Sequence, residues 1–253
     1  MLLLVEWPLL QAQQGPLFGV IGISREVAPV EQRLEGAAVT RIQGMVFTSG
    51  TIDGARIVTV RSGAGKTNAA IAATLLADRF KPSAVIFTGT AGAVDPELKP
   101  GDVVIGTGVG YHDYGSVEAG GFVRSRPRNP ATALVDPAFF PADPKLLSAA
   151  QRAARGMTKQ GVREGLIVTG DAFIASPGRR NELRNDLKAS AVEMEGAAAA
   201  QVCDHFGIPM IVIRSITDHA DGSASGSYQR FVDIASRNAA DLAVATIQQF
   251  LKR

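Results

Sequence analysis

Acidic residues placed directly after apolar runs are the first candidates for chemistry in this sequence. Asp218 lies just beyond the stretch 209–215 (PMIVIRS), within RSITDHAD at 214–221. Partial burial there would raise its pKa toward neutrality, as a general acid requires. Solvation in a loop is the plainer reading, and the one preferred for Asp221. Glu193 and Glu195 flank Met194 in VEME (192–195), between a short strand signal and an alanine-rich helix. Acids are favourable at a helix N-terminus, so capping explains them equally. Yet one of two acids spaced two apart can turn into a crevice, where a carboxylate accepts both hydroxyls of a sugar diol. Glu26 follows the apolar run 17–23 (LFGVIGI) and by itself reads as a surface acid at a helix start.

Glycine-rich turns form a second set. GTAG at 89–92, containing Ala91 and Gly92, follows the apolar run 84–88 (AVIFT). Small residues at a strand end let a ligand approach the backbone, where open α/β sheets hold their sites. An ordinary glycine turn fits the same letters. SGAGKT at 62–67 resembles the end of a phosphate-binding loop, but that motif needs glycine where Val60 stands. A nucleoside triphosphatase is not expected, and these glycines read as a tight strand-to-helix turn. His112, His205 and His219 lack metal-ligand spacing, so neither a metal nor another cofactor is expected.

These residues need a scaffold, and the periodicity supplies one. Strand signals occur at 17–23, 56–61, 84–88, 102–105, 165–169, 191–192 and 209–215. Helical patterns occupy 66–80, 144–155, 179–187, 195–206 and 228–251. Their alternation predicts a three-layer α/β/α domain. Residues 115–141, rich in Pro, Gly and Arg and without periodicity, read as a long functional or interface loop. With 46% hydrophobic and 20% charged residues, the composition is that of a soluble domain with a large core. Its 26 basic and 24 acidic residues are too balanced to predict a nucleic-acid or membrane partner. Cys203 is the only cysteine, which excludes an intrachain disulfide and a cysteine-based zinc site and suits a reducing cytoplasm. The apolar start at 1–10 has no basic flank, carries Glu6 and Pro8, and is too short to span a bilayer. Residues 1–16 are therefore expected to be an extension, and 17–253 a single catalytic domain.

Taken in order, the segments form a pattern. They are GISREV (22–27), SGAGK (62–66), TGTAG (88–92), LKPGDVV (98–104), YHD (111–113), GDAF (170–173), VEME (192–195) and RSITD (214–218). Over nearly the whole chain beyond the extension, this ordered set resembles the methylthioadenosine/S-adenosylhomocysteine nucleosidases of the nucleoside phosphorylase superfamily. The resemblance implies a nucleoside-phosphorylase-like α/β/α fold with a central mixed sheet, and hydrolysis that releases adenine from an adenine nucleoside. It also implies roles. Glu26 would activate water and Asp218 would protonate adenine N7. Glu195 would bind the ribose hydroxyls with Met194 against the sugar, Glu193 belonging to the same motif. Phe173 would stack on adenine, the backbone at Ile174 would read the base edge, and Ala91 and Gly92 would line the site. Tyr228 and Ile23 would meet the 5′ tail. Adenine nucleoside and water would be the small-molecule partners, and a homodimer is implied.

Several residues depart from the family pattern. Arg25 stands where an acid is common, and related phosphorylases use arginine nearby to hold phosphate. A phosphate-dependent nucleoside phosphorylase is thus the alternative, although Glu26 would repel phosphate at the attack position. A non-catalytic nucleoside-binding protein is a third reading, against which the joint presence of Glu26, Glu195 and Asp218 argues. Thr90 and Thr217 replace serines, the arginine-rich stretch 124–128 is longer than expected, and the Tyr228 hydroxyl suits a more polar 5′ substituent.

Overall fold

The apolar runs become strands that share one sheet. The computed structural model describes residues 15–252. In chain order the elements are β1 (Leu17–Gly22), α1 (Ser24–Glu31), β2 (Glu35–Ile42), β3 (Met45–Ile52), β4 (Ala55–Arg61), α2 (Lys66–Phe80), β5 (Ala84–Ala93), β6 (Val103–Tyr111), β7 (Gly115–Glu118), β8 (Gly121–Arg124), β9 (Phe140–Pro141), α3 (Pro144–Ala154), β10 (Val162–Thr169), α4 (Pro177–Leu187), β11 (Ala189–Glu193), α5 (Gly196–Phe206), β12 (Met210–Asp218) and α6 (Ala224–Leu251).

Ten strands form the main sheet in the order β11-β10-β6-β12-β5-β1-β4-β3-β2, with β9 added beside β6. It is mixed. β1 runs parallel to β4 and β5, and β12 runs parallel to β5 but antiparallel to β6. The sheet also curls until β11 pairs antiparallel with β5, closing β5, β12, β6, β10 and β11 into a ring. That closure sets Gly92 opposite both Val192 and Asp218, so three chain segments distant in sequence end at one edge.

Helices cover both faces. α2 and α5 pack together on one side, where Ala69, Ala72, Ala73 and Leu76 meet Ala197, Ala200 and Cys203. Alanine-lined faces let helices lie close to one another and to the sheet. At Gly19 on β1 a side chain would come within 2.7 Å of Leu76 Cδ2, so glycine permits that approach. On the other face α1, α3 and α6 bury Val27, Val30, Leu146, Ala150, Ala239 and Leu242 against β1, β5, β6 and β12. The three-layer architecture expected from the sequence is the one observed.

Two details differ from the expectation. Strands β2 and β3 were not anticipated, because β2 is exposed along nearly its whole length and carries no buried alternation. Their turns were nonetheless encoded. Gln43-Gly44 and Asp53-Gly54 both take positive φ at two successive residues, as two-residue hairpin turns demand. The stretch 115–141 is not an unstructured loop throughout, since it contains the β7–β8 hairpin and strand β9. The extension expected at 1–16 lies, apart from residues 15 and 16, outside the described residues.

Candidate active site

One cavity of about 310 Å³ opens at the edge where β1, β5, β11 and β12 end. Ile23, Glu26, Ala91, Gly92, Phe173, Glu193, Met194, Glu195, Asp218 and Tyr228 all line it. Ile174 lines a smaller adjoining cavity that shares Gly92, Phe173, Met194 and Asp218. Every residue selected from the sequence is thus brought to one place. A second cavity of about 310 Å³ surrounds Phe140, Cys203 and Met210. Its charged lining is only Asp143, which caps α3, and Asp204.

Glu26 is not the surface acid that its local sequence suggested. It sits in the first turn of α1, a helix that packs against α6, and is 3% exposed. The Thr90 backbone N–H and hydroxyl donate to its Oε1 at 3.0 and 2.5 Å. Burial pushes the Glu26 carboxyl up from its ordinary range, while the Arg214 guanidinium and the Thr90 hydrogen bonds pull it back. Its Oε2 makes no hydrogen bond among the described residues.

Glu195 and Glu193 divide their work. Gly65, at the start of α2, donates its N–H to Glu195 Oε1 at 2.8 Å. The SGAGK turn therefore holds a carboxylate through its backbone. Burial first, and the neighbouring Glu193 second, push the Glu195 carboxyl up to about 7 against the pull of Arg214. Glu193 lines the cavity, but its oxygens are committed inward. Oε1 accepts from the Thr169 hydroxyl, and Oε2 accepts from Arg214 and from the N–H groups of Glu195 and Gly196 at 3.1 and 2.7 Å. The capping explanation holds for Glu193, whereas Glu195 turns to the crevice.

Asp218 closes the other side and is 2% exposed. Thr217 donates its hydroxyl to Oδ2 at 2.7 Å, and the Ala220 N–H donates to Oδ1 at 2.9 Å. Burial raises its pKa, which these two hydrogen bonds partly oppose. At Gly92 a Cβ would stand 2.9 Å from Asp218 Oδ1, so the glycine makes room for the acid. The rings of Phe173 and Tyr228 meet edge to face with centroids 6.3 Å apart, forming an aromatic corner.

Sequence reasoning missed Arg214, which is fully buried on β12 and stacks on Phe87 with its guanidinium carbon 4.4 Å from the ring centroid. It pairs closely with Glu193 and stands 3.7 Å from both Glu26 and Glu195. The signal was a cation inside an otherwise apolar strand, which must find carboxylates when buried. Thr90 and Thr217 had been noted only as replacements; here they orient the two acids. Ser225 and Gln229 from α6 also line the cavity. Arg25 does not line it. Along one edge of its guanidinium, Nε and Nη2 donate to the two carboxylate oxygens of Asp233 on α6, at 2.7 and 2.9 Å.

Comparison with known proteins identifies the family and the fold. The model of the phosphorylase superfamily matches residues 18–248. A 5′-methylthioadenosine/S-adenosylhomocysteine nucleosidase from Shewanella halifaxensis is 38% identical over 233 residues, 91% of this chain and 98% of the relative. The crystal structure of the nucleosidase of that name from Neisseria meningitidis, in complex with methylthio-immucillin-A, superposes with a TM-score of 0.83 at 36% identity, covering 93% of this chain and 99% of that one. The one from Colwellia psychrerythraea, in complex with adenine, gives 0.85 at 34% identity, covering 94% and 96%.

The electrostatics predicts a stability signature. Glu195 has a folded pKa raised to about 7 from an ordinary 4.5, so its contribution to stability is fully present below about pH 4.5 and is lost as pH rises through 7. Glu195→Gln keeps an acceptor for Gly65 and removes the proton. In urea unfolding across pH 4.5–7, the variant should lose stability less steeply than the parent, by at most about 1.4 kcal/mol per pH unit. Identical slopes would contradict this account of the buried cluster.

Proposed function

The chain belongs to the methylthioadenosine/S-adenosylhomocysteine nucleosidase family of the phosphorylase superfamily, and from that premise we propose that Glu26 and Asp218 work as a base–acid pair in the hydrolysis of an adenine thionucleoside. One observation carries this reading: Glu26, Glu195 and Asp218 line a single cavity beside an aromatic corner.

Hydrolysis of the C1′–N9 bond builds oxocarbenium character on the ribose and negative charge on the purine. An acid on the base side and a base on the sugar side divide that task, as in glycoside hydrolysis. Asp218, whose pKa burial raises, donates its proton to adenine N7 as the C1′–N9 electron pair passes to the base. Water adds to C1′ and passes its proton to Glu26. Oε1 of Glu26 is fixed by Thr90, so Oε2 is the oxygen left to receive it. Arg214 favours the ionised base. Glu195 accepts the ribose hydroxyls, Met194 packs on the sugar, and Phe173 stacks on the base with the Ile174 backbone at its edge. For methylthioadenosine the products are adenine and methylthioribose.

The alternative of phosphate as nucleophile rested on Arg25. That guanidinium lies outside the cavity lining, with its Nε–Nη2 edge engaged by the Asp233 carboxylate, so water is the nucleophile this site favours. At the tail end, Tyr228 sets a phenol beside Ile23 and Gln229, which suits a 5′ substituent carrying a polar group.

Pairing of two copies is also part of this reading. Val117, Phe122 and Val123 of the hairpin, with Leu134, Val135 and Tyr114, leave large apolar side chains in solvent, Val117 at 86%. Exposed apolar clusters of this kind mark association surfaces. A cytoplasmic site of action suits the single, buried, unpaired Cys203. No helix among the described residues is long and apolar enough to cross a membrane.

Asp218→Asn and Glu26→Gln test the division of labour. Each should lower kcat for adenine release by roughly 10²–10⁴-fold, the usual worth of a general acid or base, while adenine still binds. Unchanged cleavage would remove that residue from the mechanism. In sedimentation, the parent should run as a dimer and Val117→Lys with Leu134→Lys as a monomer; a monomeric parent would overturn the assembly.

A further inference from the structure

Beside the cavity three loops are tied by a charged knot that the mechanism above does not use. Lys66 Nζ donates to both oxygens of Asp113 at 2.8 Å and lies 3.6 Å from Asp171 Oδ2. The Lys66 backbone N–H donates to Asp171 Oδ1 at 2.8 Å, and the Asp171 N–H donates to Asp113 Oδ2 at 2.8 Å. The Lys66 and Asp113 side chains are 23% and 28% exposed, and Lys66 Nζ sits 5.6 Å from the centroid of the Tyr111 ring. Exposed ion pairs contribute little to stability. This one differs in being two-pronged, partly buried and braced by backbone donors, with each member on a different segment.

What the segments carry gives the knot its meaning. Residue 66 directly follows Gly65, whose N–H holds Glu195. Residue 171 precedes Phe173 by two positions in the connection after β10. Residue 113 ends the strand-β6 segment, whose His112 packs so closely on Gly170 that a Cβ there would lie 2.3 Å from His112 Nε2. The knot thus fixes the aromatic base platform relative to the sugar-binding carboxylate. Glu26 and Asp218 hang on other supports: Thr90 on β5, and Thr217 and Ala220 around the end of β12.

We propose that Lys66, Asp113 and Asp171 are positioning residues that set substrate affinity, holding Phe173 and Glu195 in register while leaving the base–acid pair untouched. The proposal rests on the reading of this cavity as an adenine nucleoside site. Lys66→Met removes the ammonium, Lys66→Arg keeps a cation, and Asp113→Asn removes the charge from the centre of the knot.

The test measures adenine affinity by calorimetry and steady-state cleavage of methylthioadenosine for the full chain and these three variants. Lys66→Met and Asp113→Asn should weaken adenine binding and raise KM by about tenfold or more, with kcat within about threefold of the parent, since displaced supports cost uniform binding. Lys66→Arg should recover most of the affinity. A fall in kcat at unchanged KM and adenine affinity would overturn the proposal, as would unaltered kinetics in Asp113→Asn. If the parent itself neither binds adenine nor cleaves the nucleoside, the functional reading fails first, and the knot's role with it.

Discussion

A guanidinium with no exposure to water lies at the centre of this molecule, among three carboxyl groups. Burying Arg214 is tolerable only because Glu193, Glu26 and Glu195 surround it; removing a single partner of such a cluster typically costs about 3–5 kcal/mol. The reverse dependence is equally strong. The carboxyls are drawn into an apolar region where the charge of one cation restrains all of them, and burial raises the pKa of Glu26 and Glu195. Space for the cluster is made by omission. A side chain at Gly89 would stand 2.0 Å from Arg214 Nη1 and 2.4 Å from Glu26 Oε2.

The curled sheet is what lets one cation serve acids from two distant parts of the chain. Arg214 comes from β12, Glu193 and Glu195 from the end of β11 and the start of α5, and Glu26 from the helix after β1. In an open sheet β11 would lie at the far edge beyond β10. Its return to β5 carries Glu193 and Glu195 back beside Gly92 and Asp218. Fold and site are therefore one constraint seen at two scales: ring closure assembles the acids, and Arg214 makes their assembly electrostatically tolerable.

Much of this was legible in the sequence, and for a physical reason. Asp218, Glu195 and Phe173 each follow a run of buried strand residues, and strand ends in α/β proteins face a common crevice. Glu26 was not legible from its neighbours, because the groups around its carboxyl, Thr90 and Arg214, lie far away in the chain. The ordered motifs supplied what local chemistry could not. Arg214 was overlooked although the motif RSITD contained it, since a motif names residues without stating which are charged and buried. Strands β2 and β3 escaped because exposed hairpins carry their signal in turns such as Asp53-Gly54 rather than in alternation. Around Lys66 the sequence showed a tight strand-to-helix turn and a family motif but no role for the lysine itself; its partners at 113 and 171 become neighbours only once the strands are in place.

In the proposed mechanism this carboxylate-lined pocket directs water, and not phosphate, onto the anomeric carbon. The most direct measurement is methylthioadenosine cleavage in phosphate-free buffer made with ¹⁸O-labelled water, repeated with phosphate added. Adenine should be released without phosphate, with the label carried at C1 of methylthioribose and no rate gain when phosphate is supplied. Strict dependence on phosphate, with formation of the sugar 1-phosphate, would contradict this mechanism and would require Arg25 to leave Asp233 and serve the pocket.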